Sequence, residues 1–155
     1  MATRHDFALE LEWVGNRGSG TSGYRDYGRQ ASITAEGKQA IAGSSARVFH
    51  GDSDRWNPEE LLIAALAECH MLSYLHTAVR HGVTVLEYRD SAVGTMVQEG
   101  NGGHFTEVVL RPTIRIADPA QIDLAESLHT EASKDCFIAA SVKAFASKGA
   151  PALTR

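Results

Sequence analysis

Two cysteines, Cys69 and Cys136, are the residues of this 155-residue chain best equipped for covalent chemistry. The nucleophile is the thiolate rather than the thiol, and a free cysteine of pKa about 8.5 is only a few per cent ionised at pH 7. In a reducing compartment two cysteines are not a structural framework, so they are either inert core residues or a reactive pair. The seven histidines do not suggest a metal. His70, His76 and His81 are spaced six and five apart instead of the i, i+4 of a helical zinc pair, and no HExxH or CxxC occurs. A cysteine hydrolase fits no better. His70 adjoins Cys69 but projects elsewhere on a helix, and His129 shares a face with Cys136 only if one helix runs through both.

The element that must carry Cys69 is the clearest in the chain, a helix over Asn57–His81. Asn57 is a good N-cap, Pro58 suits the first helical position, and Glu60 can return to the backbone N–H of the cap. Glu59 and Glu60 complement the positive end of the dipole, and Gly82 stops the helix. Leu61 to Leu75 is apolar on more than one face, which predicts burial on several sides, against a second subunit as well as the same chain. Strand patterns precede it: Phe7–Val14 with a period of two, Gln30–Ile33 and Ala46–His50. A Gly/Ser/Thr-rich loop spans Gly15–Gly23. After the helix, strands are expected over Thr84–Val97, interrupted near 87–90, and over Phe105–Ile116 with a kink at Pro112. A second helix follows from Ala120 to Lys134, then a short helical stretch over Asp135–Ser141 and a last strand over Val142–Ser147. This order predicts an α+β fold in one domain, 1–155.

Composition narrows the function. Net charge is −4, which leaves no basic field for nucleic acid or an anionic membrane. Met1 to Phe7 has no apolar h-region, and no run approaches the roughly 18 apolar residues of a membrane span, so the expected compartment is the cytoplasm.

Three segments together resemble the OsmC/Ohr family. They are NPEELLIAALAECHML from Asn57 to Leu72, CFIAAS from Cys136 to Ser141, and, more loosely, WVGNRGSGTSGYR from Trp13 to Arg25. The spacings of ten residues from Glu59 to Cys69 and sixty-seven from Cys69 to Cys136 match the family pattern. The resemblance implies an OsmC-like fold, with antiparallel strands packed around a long central helix in an intertwined homodimer. It implies a two-cysteine peroxidase that reduces organic hydroperoxides and is regenerated by a small dithiol or a lipoylated protein, without a cofactor. Cys69 then corresponds to the peroxidatic thiol and Cys136 to the resolving thiol. Glu59 corresponds to the carboxylate that orients an arginine, with Arg25 preferred over its neighbours Arg17 and Arg29.

An arginine beside the sulfur would favour the thiolate and stabilise charge on the leaving oxygen. Ten helical residues separate Glu59 from Cys69 by about 15 Å along the axis and about 80° around it, so Glu59 acts through a long arginine or on another subunit. Glu68 and Asp135, each next to a cysteine, depart from the family pattern and would raise a thiol pKa if close to it. They favour the alternative of a non-catalytic protein of this fold that binds an apolar ligand or partner at the dimer interface.

Overall fold

Three short strands open the chain as an antiparallel meander: β1 (Glu10–Trp13), β2 (Ala31–Thr34) and β3 (Ile41–Gly43). Leu11 pairs with Ile33 and Trp13 with Ala31, while Ile33 pairs onward with Ile41. The structure is a computed structural model and describes residues 2–142, 146–148 and 152–154. The chain forms two compact units, Met1–Leu61 and Leu62–Arg155. In the first, β1 is shorter than its alternating pattern suggested and is exposed rather than half-buried: Phe7 is 95% and Leu11 68% accessible in the single chain. The strand expected at Ala46–His50 is absent. Arg47–Phe49 instead makes one 3-10 turn, because Phe49 N–H and Gly51 N–H both donate to Ala46 O and Ser45 Oγ–H donates to Phe49 O. Local bonds of this kind compete with a sheet ladder for the same backbone groups.

The loop between β1 and β2 is pinched at its base. Gly28 N–H donates to Gly15 O at 2.7 Å, and Trp13 Nε1–H donates to Gly28 O at 2.8 Å. A Cβ at Gly15 would collide with the Gly28 carbonyl, so this approach requires glycine. Within the loop, Asn16 Oδ1 accepts from Gly18 N–H and Gly20 N–H, and Ser22 Oγ–H donates to Asp26.

Helix α1 (Pro58–Arg80) starts as its sequence suggests. Glu60 N–H donates to Asn57 Oδ1 at 2.8 Å and Asn57 N–H to Glu60 Oε2 at 3.4 Å, a reciprocal capping box. The preceding Trp56 bridges to Gly43 and ties the helix start to β3. At the other end Gly82 takes φ 70, Val83 N–H returns to Ala78 O and Gly82 N–H to Val79 O. That is a complete Schellman stop. Its 23 residues are long and apolar enough to cross a bilayer by length and composition. Here, however, Leu66, His70, Tyr74, Thr77 and Ala78 form one buried stripe of a core helix. Leu72 and Val79, on other faces, are 55% and 78% accessible.

The second unit continues with β4 (Val85–Asp90), β5 (Val93–Glu99), β6 (Gly102–Leu110) and β7 (Pro112–Ile116). The chain breaks at Ser91–Ala92, a few residues after the point expected, and at Arg111 before Pro112. Pairs β4–β7 and β5–β6 are antiparallel, with bulges near Val85/Glu87 and Thr95/Met96. A 3-10 turn at Pro119–Gln121, capped by Asp118, leads into α2 (Ile122–Lys134) and then α3 (Phe137–Ser141). Two three-residue strands, β8 (Ala146–Lys148) and β9 (Ala152–Thr154), add in parallel to β6 and β7. The last strand expected from Val142 lies partly outside the described residues. One core joins Tyr74 and Ala78 of α1, Ile114 and Ile116 of β7, and Ala125, Leu128 and Ala132 of α2. A second joins Leu66 to Val108 and Leu110, with Ile63, Phe105 and Ile138 against them. At about 1.5–3 kcal/mol per fully buried large apolar side chain, these contacts hold α1 to the strands. The architecture is α+β, one long central helix packed with mainly antiparallel strands.

Candidate functional site: a thiol pair where two helices meet

Midway along α1, Cys69 is half-buried, and Cys136 stands at the corner between α2 and α3. Cys136 is 2% accessible and stands at the N-cap of α3 in an extended conformation (φ −77, ψ 103). Both thiols are reduced, and Cys69 is among the groups that act on the titration of Cys136. Burial pushes the Cys136 thiol above its ordinary pKa, and the neighbouring Cys69 raises it further. The backbone N–H groups of Ala139 and Ile138 pull it partly back. One turn beyond Cys69, Ser73 Oγ–H donates to Asp135 O at 3.4 Å, so the same stripe of α1 touches the residue preceding Cys136.

The adjacent stripe of α1 carries a polar cluster whose pairing the sequence does not reveal. His70 Nε2 lies 3.0 Å from His129 Nδ1 of α2, and the two rings stack at 5.3 Å between centroids. Tyr74 stacks on His129 at 4.3 Å and donates from Oη to Ala125 O at 2.9 Å. Burial raises the Tyr74 phenol to about 12, so it remains a neutral donor. His70 and His129 are 3% and 4% accessible. The available signal was the spacing of His70 with Leu66 and Tyr74, which puts it on the core stripe. Its partner on α2 is not readable from spacing.

The remaining candidates are distributed differently. Glu68 and Asp135 are both exposed, and neither carboxylate contributes to the Cys136 shift. Glu59 sits in the first turn of α1, ten residues before Cys69, and the structure does not bring it to that sulfur. Its Oε2 is buried and has no hydrogen-bond partner among the described residues. In the pinched loop, Arg29 is fully engaged: it donates to Tyr27 O and Tyr24 O at 2.8 and 2.9 Å and packs its guanidinium on both tyrosine rings. Arg17 donates to Arg25 O at 3.4 Å. The Arg25 side chain is exposed, and its guanidinium makes no hydrogen bond or ion pair among the described residues. No group of three or more His, Cys, Asp or Glu side chains that could hold a metal occurs among them.

A family model described as OsmC-like protein matches residues 51–147, a segment that contains Glu59, Cys69 and Cys136. The chain belongs to the OsmC family. Solved structures agree with this. An OsmC-like protein of unknown function from Vibrio cholerae O1 is 25% identical and superposes with TM-score 0.85, over 97% of this chain and 100% of its own. An organic hydroperoxide resistance protein from Elizabethkingia anophelis, with thiocyanate bound, is 16% identical at TM-score 0.69, over 99% of both chains. A putative organic hydroperoxide resistance protein from V. cholerae O1, with captopril bound in one of the active sites, is 19% identical at TM-score 0.67. That match covers 99% of this chain and 94% of the other. At these lower identities the last two establish a shared OsmC fold alone. No curated protein matches the chain. The arginine-bearing loop lies outside the segment matched by the OsmC family model, which begins at residue 51.

Proposed function

We propose that this OsmC-family protein is a thiol-dependent peroxidase that reduces organic hydroperoxides through a two-cysteine mechanism. The observation that carries the reading is a pair of free thiols, Cys69 half-buried on α1 and Cys136 buried at the start of α3, at the spacing that links the chain to the family. The Cys69 thiolate attacks the terminal peroxide oxygen and the O–O bond breaks. The alkoxide takes a proton and leaves as an alcohol, and Cys69 becomes a sulfenic acid. The Cys136 thiolate then attacks that sulfur, water leaves, and a disulfide remains. A dithiol, either small or carried on a lipoylated protein, reduces it and returns both thiols. Cys69, half-buried, is the accessible sulfur, whereas Cys136 is buried with a raised pKa, which suits the second step rather than the first.

Glu59 and Arg25 complete the proposal. A buried carboxylate oxygen and a guanidinium, each without a partner among the described residues, are complementary needs. Ten residues of helix separate Glu59 from its own Cys69, so we assign the Glu59–Arg25 pair to the reactive thiol of a second subunit. The exposed apolar side chains Phe7, Leu9, Leu11 and Trp13 support a homodimer that covers β1. In this reading 1–155 is a single OsmC-like domain of a cytoplasmic homodimer.

The test is to treat reduced protein with slightly substoichiometric organic hydroperoxide and follow free thiols, with Cys69→Ser and Cys136→Ser in parallel. Consumption of peroxide with an intramolecular disulfide, lost in Cys69→Ser and replaced by a sulfenic acid in Cys136→Ser, is the expected result. Thiols that stay reduced would overturn it and leave a non-catalytic binding protein of this fold.

A further inference from the structure

We infer that the buried His70–His129 pair positions the Cys136 thiol against Cys69, an inference that rests on the two-cysteine reading and extends it to the residues that make ring closure possible. Cys69 and His70 are neighbours on α1 and occupy adjacent stripes of it. Each stripe grips a different part of the segment that ends in Cys136. His70 Nε2 holds His129 Nδ1 at 3.0 Å, and Tyr74, one turn along, holds Ala125 O at 2.9 Å and stacks on the His129 ring at 4.3 Å. On the other stripe Ser73 reaches Asp135 O at 3.4 Å, a longer bond from an exposed side chain. Between His129 and Cys136 lie only the last turn and a half of α2 and its C-cap, with Ala132 fully buried, so fixing the azimuth and height of His129 fixes where α2 delivers Cys136.

Polar side chains are an expensive way to fill such an interface. A buried imidazole costs stability unless it is hydrogen-bonded, and two apolar residues of similar volume would pack there without that requirement. What a directional bond supplies, and an apolar contact does not, is register. A disulfide tolerates little error, since its Cα atoms must lie within about 7 Å and its dihedral near ±90°. His70 and His129 are therefore positioning residues for the resolving thiol. They need not touch peroxide or the reacting sulfur.

The test separates reach from polarity. Asn places its amide close to where histidine carries Nδ1, and Gln places its amide close to Nε2. The bond uses Nε2 of His70 and Nδ1 of His129, so His70→Gln and His129→Asn should keep it, while His70→Asn and His129→Gln should lose it. The readout is the effective concentration of the Cys69–Cys136 pair, obtained by equilibrating each folded protein with glutathione buffers. In that exchange the dithiol passes two electrons to glutathione disulfide, giving the protein disulfide and two molecules of glutathione. His70→Gln and His129→Asn should stay within about threefold of wild type, and the two crossed variants should fall by tenfold or more. In a Cys136→Ser background all four should form sulfenic acid at the parental rate.

Four equal effective concentrations, or losses that follow side-chain volume instead of reach, would overturn the inference. So would a loss confined to the rate of sulfenic acid formation. The glutathione measurement uses no peroxide, so a wild type that forms the disulfide but leaves hydroperoxide untouched refutes the peroxidase reading while the positioning role stands.

Discussion

Closing the Cys69–Cys136 bond should stabilise the fold by an amount that can be worked out beforehand. The link spans sixty-seven positions of chain, and the loop-closure entropy it removes from the unfolded state is worth about 4 kcal/mol at 25 °C. The native state should give little of this back. Ser73, one turn from Cys69, already donates to the carbonyl of Asp135 beside Cys136 at 3.4 Å, so the helices that carry the thiols need not move far. In a chain of this length each kcal/mol raises Tm by about 2–4 °C, so the oxidised protein should melt roughly 10–15 °C above the reduced one. The assay is to oxidise with diamide and confirm by mass the loss of two hydrogens within a single chain. Calorimetry at one protein concentration with and without reductant then gives the shift, with Cys136→Ser as the control that should not move. A correctly bonded, oxidised protein that melts within about 3 °C of the reduced form, or below it, would refute the reasoning. The thiols would then be held in a contact that the disulfide has to break.

Other expectations follow from single contacts. Tyr74→Phe removes only the donor to Ala125 O (2.9 Å) from a fully buried ring; it should cost about 1 kcal/mol and lower Tm by about 2–4 °C, and no change would deny that bond a role. Burial holds the Asp90 carboxyl above its ordinary value, so the folded state binds that proton more tightly than the unfolded chain. Wild type should lose stability from this group as pH rises from about 4 through the raised pKa. Asp90→Asn keeps an oxygen for Arg111 N–H, so its Tm should gain on wild type across that window and then run parallel; a difference constant with pH would sink the argument. Leu11→Asp places a charge on exposed β1, so under the proposed homodimer sedimentation velocity should find a dimeric parent and a monomeric variant. A dimer that survives the substitution puts the interface elsewhere.

What could be read in advance was what is local. The Asn57 capping box, Pro58, the Gly82 stop and the spacing of Glu59, Cys69 and Cys136 are all written within a few residues or in family spacing, and α1 runs within one residue of its expected ends. Phe7–Val14 alternates as a strand should, yet only Glu10–Trp13 pairs and its four residues are exposed, because period two reports a preference and not the presence of a covering layer. At Ala46–His50 the expected strand gave way to a tight turn held by the Ser45 hydroxyl and the Ala46 carbonyl, local bonds that compete with a sheet ladder. The His70–His129 pair was hidden for a different reason. Fifty-nine positions separate the two residues, and only the packing of α2 on α1 brings them together.

The pinch between Gly15 and Gly28 bears on how this protein could be engineered. Its bonds run across the base of the loop, and inside it one knot on Asn16 reaches to Gly20 and another joins Ser22 to Asp26, with Arg17 donating across both to Arg25 O. The peptide link from Thr21 to Ser22 belongs to neither knot. A short flexible epitope spliced there adds only a small logarithmic closure entropy and leaves the β1–β2 ladder in place. The same epitope placed next to Gly15 or Gly28 would pull the ladder apart. The loop thus has a marked insertion point, where a reporter could be attached without disturbing the frame that carries Arg25.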